Sequence, residues 1–276
     1  MEPLYSLAYL TGTPLSPPDA ISLAAELGYQ AVGLRATPAA PGGDFSLLME
    51  EPALLRATVA RAKATGVGVF DVEIVRLKPD FDVTGFRRFL DMCGELGAKA
   101  VLVAGDDANE RRLIDSYAAF CAAAAPYGLT ADLEFMPWTD VPDARTALRI
   151  VMGAGQPNGG VLVDALHAGR STTTLDDIRA IPSRHLHYAQ ICDGAAETPT
   201  TDEGLIFDAR CARLLPGEGG IDLVGIFSAL PVDLPVSVEV PHDERKAAVG
   251  LERWARDALG AARAALVART DTRSTK

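Results

Sequence analysis

Histidine, cysteine and aromatic residues are scarce in this chain: 276 residues carry four histidines, four cysteines and two tryptophans, and aromatics make up 6%. Cys93, Cys121, Cys192 and Cys211 form no C-x-x-C pair and no dense framework. That excludes a thiolate zinc module and a disulfide-stapled scaffold, and leaves a reduced, cytoplasmic protein as the expectation. Lysine and arginine number 26 against 37 acids, a net charge of −11, and nowhere form a run. Without a basic face, neither nucleic acid nor an anionic membrane surface is an expected partner. No stretch of about 18 uninterrupted apolar residues occurs, so no membrane span is expected. The opening "MEPLYSLAYL" lacks a basic segment followed by a long apolar run, so no signal peptide is expected either. No G-x-G-x-x-G follows the first strand and no glycine-rich loop ends in lysine, which weighs against a doubly wound dinucleotide fold and a P-loop.

What the chain does have is a repeated phrase: an alanine-rich helical stretch, a glycine, then a short apolar strand. It appears in "AISLAAELGYQAVGL", "LLRATVARAKATGVGVFDVEI", "RRFLDMCGELGAKAVLVAG" and "SYAAFCAAAAPYGLTADLEF". Gly28, Gly66, Gly97 and Gly128 fall where each helix should end, a position that favours a left-handed backbone and hence glycine. With "LYSLAYL" at the start and "GGVLVDALH", "HLHYAQICD" and "LPVSVEVP" later, the pattern gives eight strands separated by helices. Short apolar strands covered on both faces imply a parallel sheet. Eight β–α units in roughly 250 residues imply a single-domain α/β fold, the (β/α)₈ TIM barrel. The barrel is expected over residues 1–268, with "PLSPPDA" opening the first helix, "RWARDALGAARAALVAR" closing the fold and 269–276 a disordered tail.

In such a barrel, functional side chains project from the C-terminal ends of the strands. Glu134, Asp164, Gln190 and Glu239 occupy those ends on strands five to eight. Each sits among apolar neighbours at a position of inward parity, where a polar group needs a reason. A buried amide such as Gln190 is costly unless partners wait for it. Three converging carboxylates would repel one another unless a cation sat among them. One divalent metal ion, Mg²⁺, Mn²⁺ or Co²⁺, suits carboxylate and carbonyl oxygens. Gln190 would then turn its carbonyl oxygen inward and donate its NH₂ to a neighbour. His167, three residues after Asp164, should overhang the same mouth and contact substrate or transfer a proton. His187 has the opposite parity to Gln190 and should point to the helices.

These residues resemble the xylose isomerase-like barrel superfamily of sugar phosphate isomerases and epimerases. The resemblance is carried by Glu134, "DALH" (Asp164 to His167), "QICD" from Gln190, "RLLPGEGGID" and "VSVEVP" with Glu239, and spans about residues 4 to 265. In the ketose 3-epimerase members it implies a metal held by Glu, Asp, His and Glu, with the two glutamates as acid and base; Glu134, Asp164 and Glu239 match. Gln190 stands where those epimerases carry histidine, and glutamine there resembles the dehydratases of 3-dehydroshikimate and 2-keto-myo-inositol, as does "ARLLPGEGGIDL". The endonuclease IV branch needs a histidine-rich trinuclear zinc site and a basic face, which this chain lacks.

The resemblance implies an enzyme that removes a proton beside a carbonyl of a polyhydroxy ketone or keto acid, giving an isomer or epimer, or an alkene if a β-hydroxyl leaves. Glu134 and Glu239 are the candidate ligands and acid/base groups, with His167 assisting. Arg210 and Arg213 are candidates for binding substrate with their forked donors, and Glu73 and Arg35 face the same end. Residues 195–213 are expected to form a mobile lid. A non-catalytic binding protein or subunit with a vestigial metal site is the contrasting class, and assembly into a homo-oligomer is compatible with the sequence.

Overall fold

Successive side chains along the strands alternate between the barrel interior and the helical layer, and that alternation places the site. In the computed structural model, which describes residues 2–273, the strands are β1 (Tyr5–Leu7), β2 (Ala31–Arg35), β3 (Gly68–Leu77), β4 (Ala100–Gly105), β5 (Thr130–Glu134), β6 (Gly159–Asp164), β7 (Ala189–Ile191) and β8 (Val236–Val238). They pair in chain order, all parallel, and β8 closes back onto β1. Val101, Val103, Leu133, Val161, Val163, Ile191, Val236 and Val238 join the large core between barrel and helices. Leu102, Leu162 and Tyr188 belong to a separate cluster inside the barrel with Phe70 and Ile74. Each fully buried valine or isoleucine stabilises by about 1.5–3 kcal/mol. A one-residue slip would exchange those side chains with Asp132, Glu134 and Gln190, so the register is firmly specified.

Gly28, Gly66, Gly97 and Gly128 all adopt the left-handed backbone expected of them, φ between 66° and 85°. Ser16 caps the helix Pro17–Leu27 with proline at its first position, although a short turn of helix, Tyr9–Gly12, comes before it. The closing helix is Leu251–Arg273. It therefore runs past the boundary expected at 268, and residues 269–273 are helical rather than a tail; 274–276 lie outside the described residues. Trp254 is buried and its Nε1–H donates to the Val240 carbonyl at 2.7 Å, fastening this helix beneath the end of β8. Thr11 ties the segment after β1 to the end of β8: its hydroxyl donates to the Val238 carbonyl (2.9 Å) and accepts from the Val240 N–H (2.7 Å). No helix among the described residues is long and apolar enough to cross a membrane.

Candidate metal centre and substrate cleft

Glu134 ends β5, Asp164 ends β6, Gln190 lies within β7, and Glu239 follows β8 directly. They do not share one register row. Glu134 pairs with Leu162, Asp164 with Gln190, and Gln190 with Ser237. The row thus climbs by two residues from β5 to β6 and again by two to reach Glu239. A closed barrel of tilted strands requires such a stagger, and it lets staggered residues converge at one mouth.

Among the described residues, one group of three carboxylate or imidazole side chains could hold a metal ion. Glu134, Asp164 and His167 each offer an atom within 4.8 Å of the others, all buried. Asp164 caps the helix Ala165–Arg170 by accepting from the His167 N–H (3.1 Å), which fixes His167 above it. The spacing of three carried this signal, because an N-cap side chain accepts from the N–H three residues on. The His167 ring meets the edge of Trp138 at 5.1 Å. Its Nε2 is 3.8 Å from Glu134 Oε1, too long for a hydrogen bond, and its Nδ1 is buried without a partner.

Glu239 lies outside this tight group because Arg213 engages it. The Arg213 guanidinium is buried. Its Nη1 donates to Asp164 Oδ2 (2.6 Å), its Nη2 pairs with Glu239 Oε2 (3.0 Å), and its Nε donates to the Ala209 carbonyl (2.7 Å). Gln190 donates its NH₂ to Glu239 Oε1 (3.3 Å), as expected, and its carbonyl oxygen is buried without a partner. Two carboxylates, an imidazole and an amide oxygen lacking a donor form a set that fits a divalent cation. The sequence points to His167 as a substrate contact or proton-transfer group; the geometry also puts it among the groups that could hold a metal.

Electrostatics follow from burial. Glu134 is held well above the usual carboxylate range by desolvation, then by Asp164 and Glu239, with Arg213 opposing. Glu239 is pushed up to about 8, by burial first, against the pull of Arg213 and with Glu73 and Asp164 adding to the rise. Asp164 goes the other way: burial would raise it, but Arg213, His167 and its hydrogen bonds lower it. Burial depresses His167 to about 4, so its ring is neutral at pH 7.

The cleft above these groups is lined by Glu73, Glu134, His167 and Glu239, by Trp138 and Met136, and by Arg35, Arg76, Arg210 and Arg213. Arg35 pairs with Glu73 (Nη2–Oε2, 3.3 Å) and lies 4.7 Å over the Tyr9 ring. Arg76, on β3, was not singled out from the sequence. Its Nε donates to the Ala39 carbonyl (2.8 Å) and its Nη1 to Asp106 (2.6 Å), a partner 30 residues away that no local pattern reveals.

The segment expected as a lid is structured in part: Asp202–Cys211 is a helix capped by Thr201, and it carries Arg210. Beyond it, Asp193 organises the "PGEGG" turn. Its carboxylate accepts from the N–H groups of Gly194, Gly217, Gly219 and Ile221 at 2.9–3.1 Å. Any side chain at Gly219 would strike the Gly194 carbonyl, so only glycine closes this turn. Arg213 is delivered into the barrel by the strand-like bridge of Leu214 to Asp193.

His187 corrects the sequence reading. Its Nδ1 lies 2.6 Å from Asp132 Oδ1, inside the N-terminal end of the barrel rather than toward the helices. Gly160 leaves the room: a Cβ there would sit 2.5 Å from that nitrogen. Parity failed because regular strand begins only at Ala189, after the 3₁₀ turn Ser183–His185.

Eight parallel strands closed into a barrel, with an acid-rich cluster at the C-terminal mouth, define the (β/α)₈ class whose sites lie at that end. Within it, the chain belongs to the xylose isomerase-like TIM barrel family, whose sequence profile matches residues 21–265. A comparison with curated protein sequences gave no match. Among solved structures, the IOLI protein with a bound zinc atom aligns at TM-score 0.78 and 20% identity over 96% of this chain and 98% of that one. D-psicose 3-epimerase with D-tagatose from Clostridium cellulolyticum H10 aligns at TM-score 0.74 and 17% identity over 96% and 99%. A xylose isomerase-like TIM barrel/4-hydroxyphenylpyruvate dioxygenase fusion protein aligns at TM-score 0.78 and 20% identity over 95% of this chain, which spans only 42% of the fusion. At these identities the likeness establishes the fold.

Proposed function

We propose that this chain is a divalent-metal-dependent enzyme of the isomerase and epimerase type, acting on a polyhydroxylated ketone by removing and returning a proton beside its carbonyl. The observation that carries the reading is the meeting of Glu134, Asp164 and His167 beside the partnerless Gln190 oxygen and Glu239. Glu134, Asp164, Gln190 and Glu239 would hold Mg²⁺, Mn²⁺ or Co²⁺, with His167 at hand as a further ligand or as a hydroxyl partner. When bound, such a cation supplies charge stabilisation for oxygen that becomes negative on the substrate.

Proton transfer falls to the chain's own carboxyls. A positioned carboxylate contributes roughly 10²- to 10⁴-fold. Glu134 and Glu239 both line the cleft, and burial holds both above the usual carboxylate range, which favours their acting as proton carriers. Neutral His167 can donate from one ring nitrogen and accept at the other, which suits it to orient a substrate hydroxyl. Trp138 and Met136 give the cleft an apolar wall that excludes water from the reacting carbon.

Gln190 favours a second reading, dehydration. The same proton removal followed by loss of a β-hydroxyl, protonated by a carboxyl as it leaves, yields water and an alkene. The experiment is a screen of polyhydroxy ketones and cyclic keto acids with Mg²⁺, Mn²⁺, Co²⁺ or Zn²⁺ in D₂O, read by NMR and ultraviolet absorbance. Metal-dependent incorporation of deuterium beside the carbonyl is expected, with new stereoisomer under the first reading and new absorbance under the second. Neither exchange nor metal retained through elemental analysis would overturn both and leave a non-catalytic binding protein.

A further inference from the structure

Four arginines line the cleft, and acids account for three of them. Arg213 is held by Asp164 and Glu239, Arg35 by Glu73 and Arg76 by Asp106. Arg210, half-buried near the end of the helix Asp202–Cys211, has no acid and no hydrogen-bond acceptor among the described residues. It lines the cleft with Arg76 and Arg35, and its pKa is lowered by burial and then by those two cations, with Cys211 opposing. Acids are not in short supply, with 37 against 26 bases. The acids lining the cleft, Glu73, Glu134 and Glu239, nonetheless form no ion pair with Arg210, whose guanidinium stands with those of Arg35 and Arg76. Two further donors point the same way: Arg35 Nε is buried without a partner, and the bonds of Arg76 engage only its Nε and Nη1.

Like charges gathered in a half-buried cleft repel, and the repulsion is removed when an anion enters. Guanidinium groups suit that anion, because their planar forks match the oxygens of a carboxylate or phosphate. We propose that Arg35, Arg76 and Arg210 form an anion subsite of the cleft, which takes a carboxylate or phosphate group carried by the substrate. The polyhydroxy part of that substrate then lies toward Glu134 and Glu239. The inference rests on the cleft being the substrate site of the proposed chemistry, and it separates this chain from a protein built for a neutral ketose such as D-tagatose.

The test is calorimetric titration of the Mn²⁺-supplemented protein with D-fructose, D-gluconate and D-fructose 6-phosphate, three six-carbon probes that are neutral, carboxylated and phosphorylated. One or both anionic probes should bind at least roughly ten-fold tighter than D-fructose, the scale of one hydrogen bond to a charged group. The tighter of the two identifies the anion. Arg210→Gln should remove that preference, weakening the anionic probe by at least roughly ten-fold and D-fructose far less, while Arg210→Lys keeps part of it. Arg210 has no partner to lose, so this variant should fold even if Arg76→Gln does not. Equal affinity for all three probes, or anion binding unaffected by Arg210→Gln, would overturn the subsite. Deuterium exchange confined to neutral ketoses would also overturn it while leaving the proposed chemistry intact. Anion binding that Arg210→Gln abolishes, without exchange on any substrate, would support the subsite and sink the chemistry instead.

Discussion

Replacing Arg213 with methionine probes how the buried charges of the site are balanced. In the protein as described, one guanidinium serves Asp164 at 2.6 Å and Glu239 at 3.0 Å, all three groups being buried. Methionine fills much of the same volume without charge, so the cost falls on the two carboxyls left behind. Breaking a buried pair by removing one partner costs about 3–5 kcal/mol. At about 2.1 cal/mol/K of unfolding entropy per residue, that corresponds to a fall in Tm of roughly 5–9 °C. The metal-free variant should show this loss at pH 7, where the depressed pKa of Asp164 keeps it charged in the parent. The sign with pH follows: a lowered carboxylate contributes stability above its ordinary value of 3.8 and loses it as the pH falls, so the gap between the proteins should narrow in acid. Divalent cation should recover part of the loss. The oxygens that Arg213 occupied become available, and a ligand at 100 times its Kd adds about 2.7 kcal/mol. Urea unfolding and scanning calorimetry, each with EDTA and with saturating Mn²⁺, would measure both effects. A metal-free loss under about 1 kcal/mol, or a metal-induced gain no larger than the parent's, would refute the claim that Arg213 and the metal answer to the same carboxylates.

Gln190→His should tighten Mn²⁺ or Co²⁺ binding, since nitrogen ligands hold these ions better, and should lower the native rate; unchanged affinity and rate would mark Gln190 as a packed core amide. His187 has a raised pKa despite its burial, because Asp132 bonds to it. Its contribution is complete below pH 6.5 and disappears as the pH rises through the raised value. The stability of the parent should therefore fall more steeply than that of His187→Gln from pH 6 upward, and parallel curves would refute the pairing. Asp193→Ala strips four N–H groups of their acceptor, which should cost roughly 3 kcal/mol and open residues 215–221 to proteolysis. A variant as resistant as the parent would show that the turn holds itself.

Much of the mouth was legible because strands impose a period of two. Glu134, Asp164 and Glu239 stood at inward positions between valines and leucines, and the closed barrel brought them together. Gln190 could be read for the same reason, within the three residues of β7. His187, only three residues earlier, could not, since the chain enters that strand through a 3₁₀ turn where parity has no meaning. Arg213, a substrate-binding candidate by sequence, does line the cleft, but its burial against Asp164 and Glu239 could not be read, because Asp193, some 20 residues before it, pins the turn that delivers it. Arg76 was invisible for a similar reason, its acid directly following β4, the neighbouring strand, 30 residues further along the chain. Periodicity reports which face a residue occupies, whereas ion pairs between distant segments are settled only by the fold.

The tie between Thr11 and the end of β8 also sets a schedule. Its two partners lie 227 and 229 residues further along the chain. At about 5–20 residues per second of synthesis, the first strand waits roughly 10–45 s for the last to appear. During that interval β1 has an open edge toward its missing neighbour, and Glu239 does not yet exist to meet Gln190 or Arg213. The nascent chain can assemble seven strands and still have no complete site. Closure of the ring and completion of the charge cluster are thus a single late event, and a ribosome stalled before residue 236 would hold a chain with an unpaired strand edge for chaperones to shield.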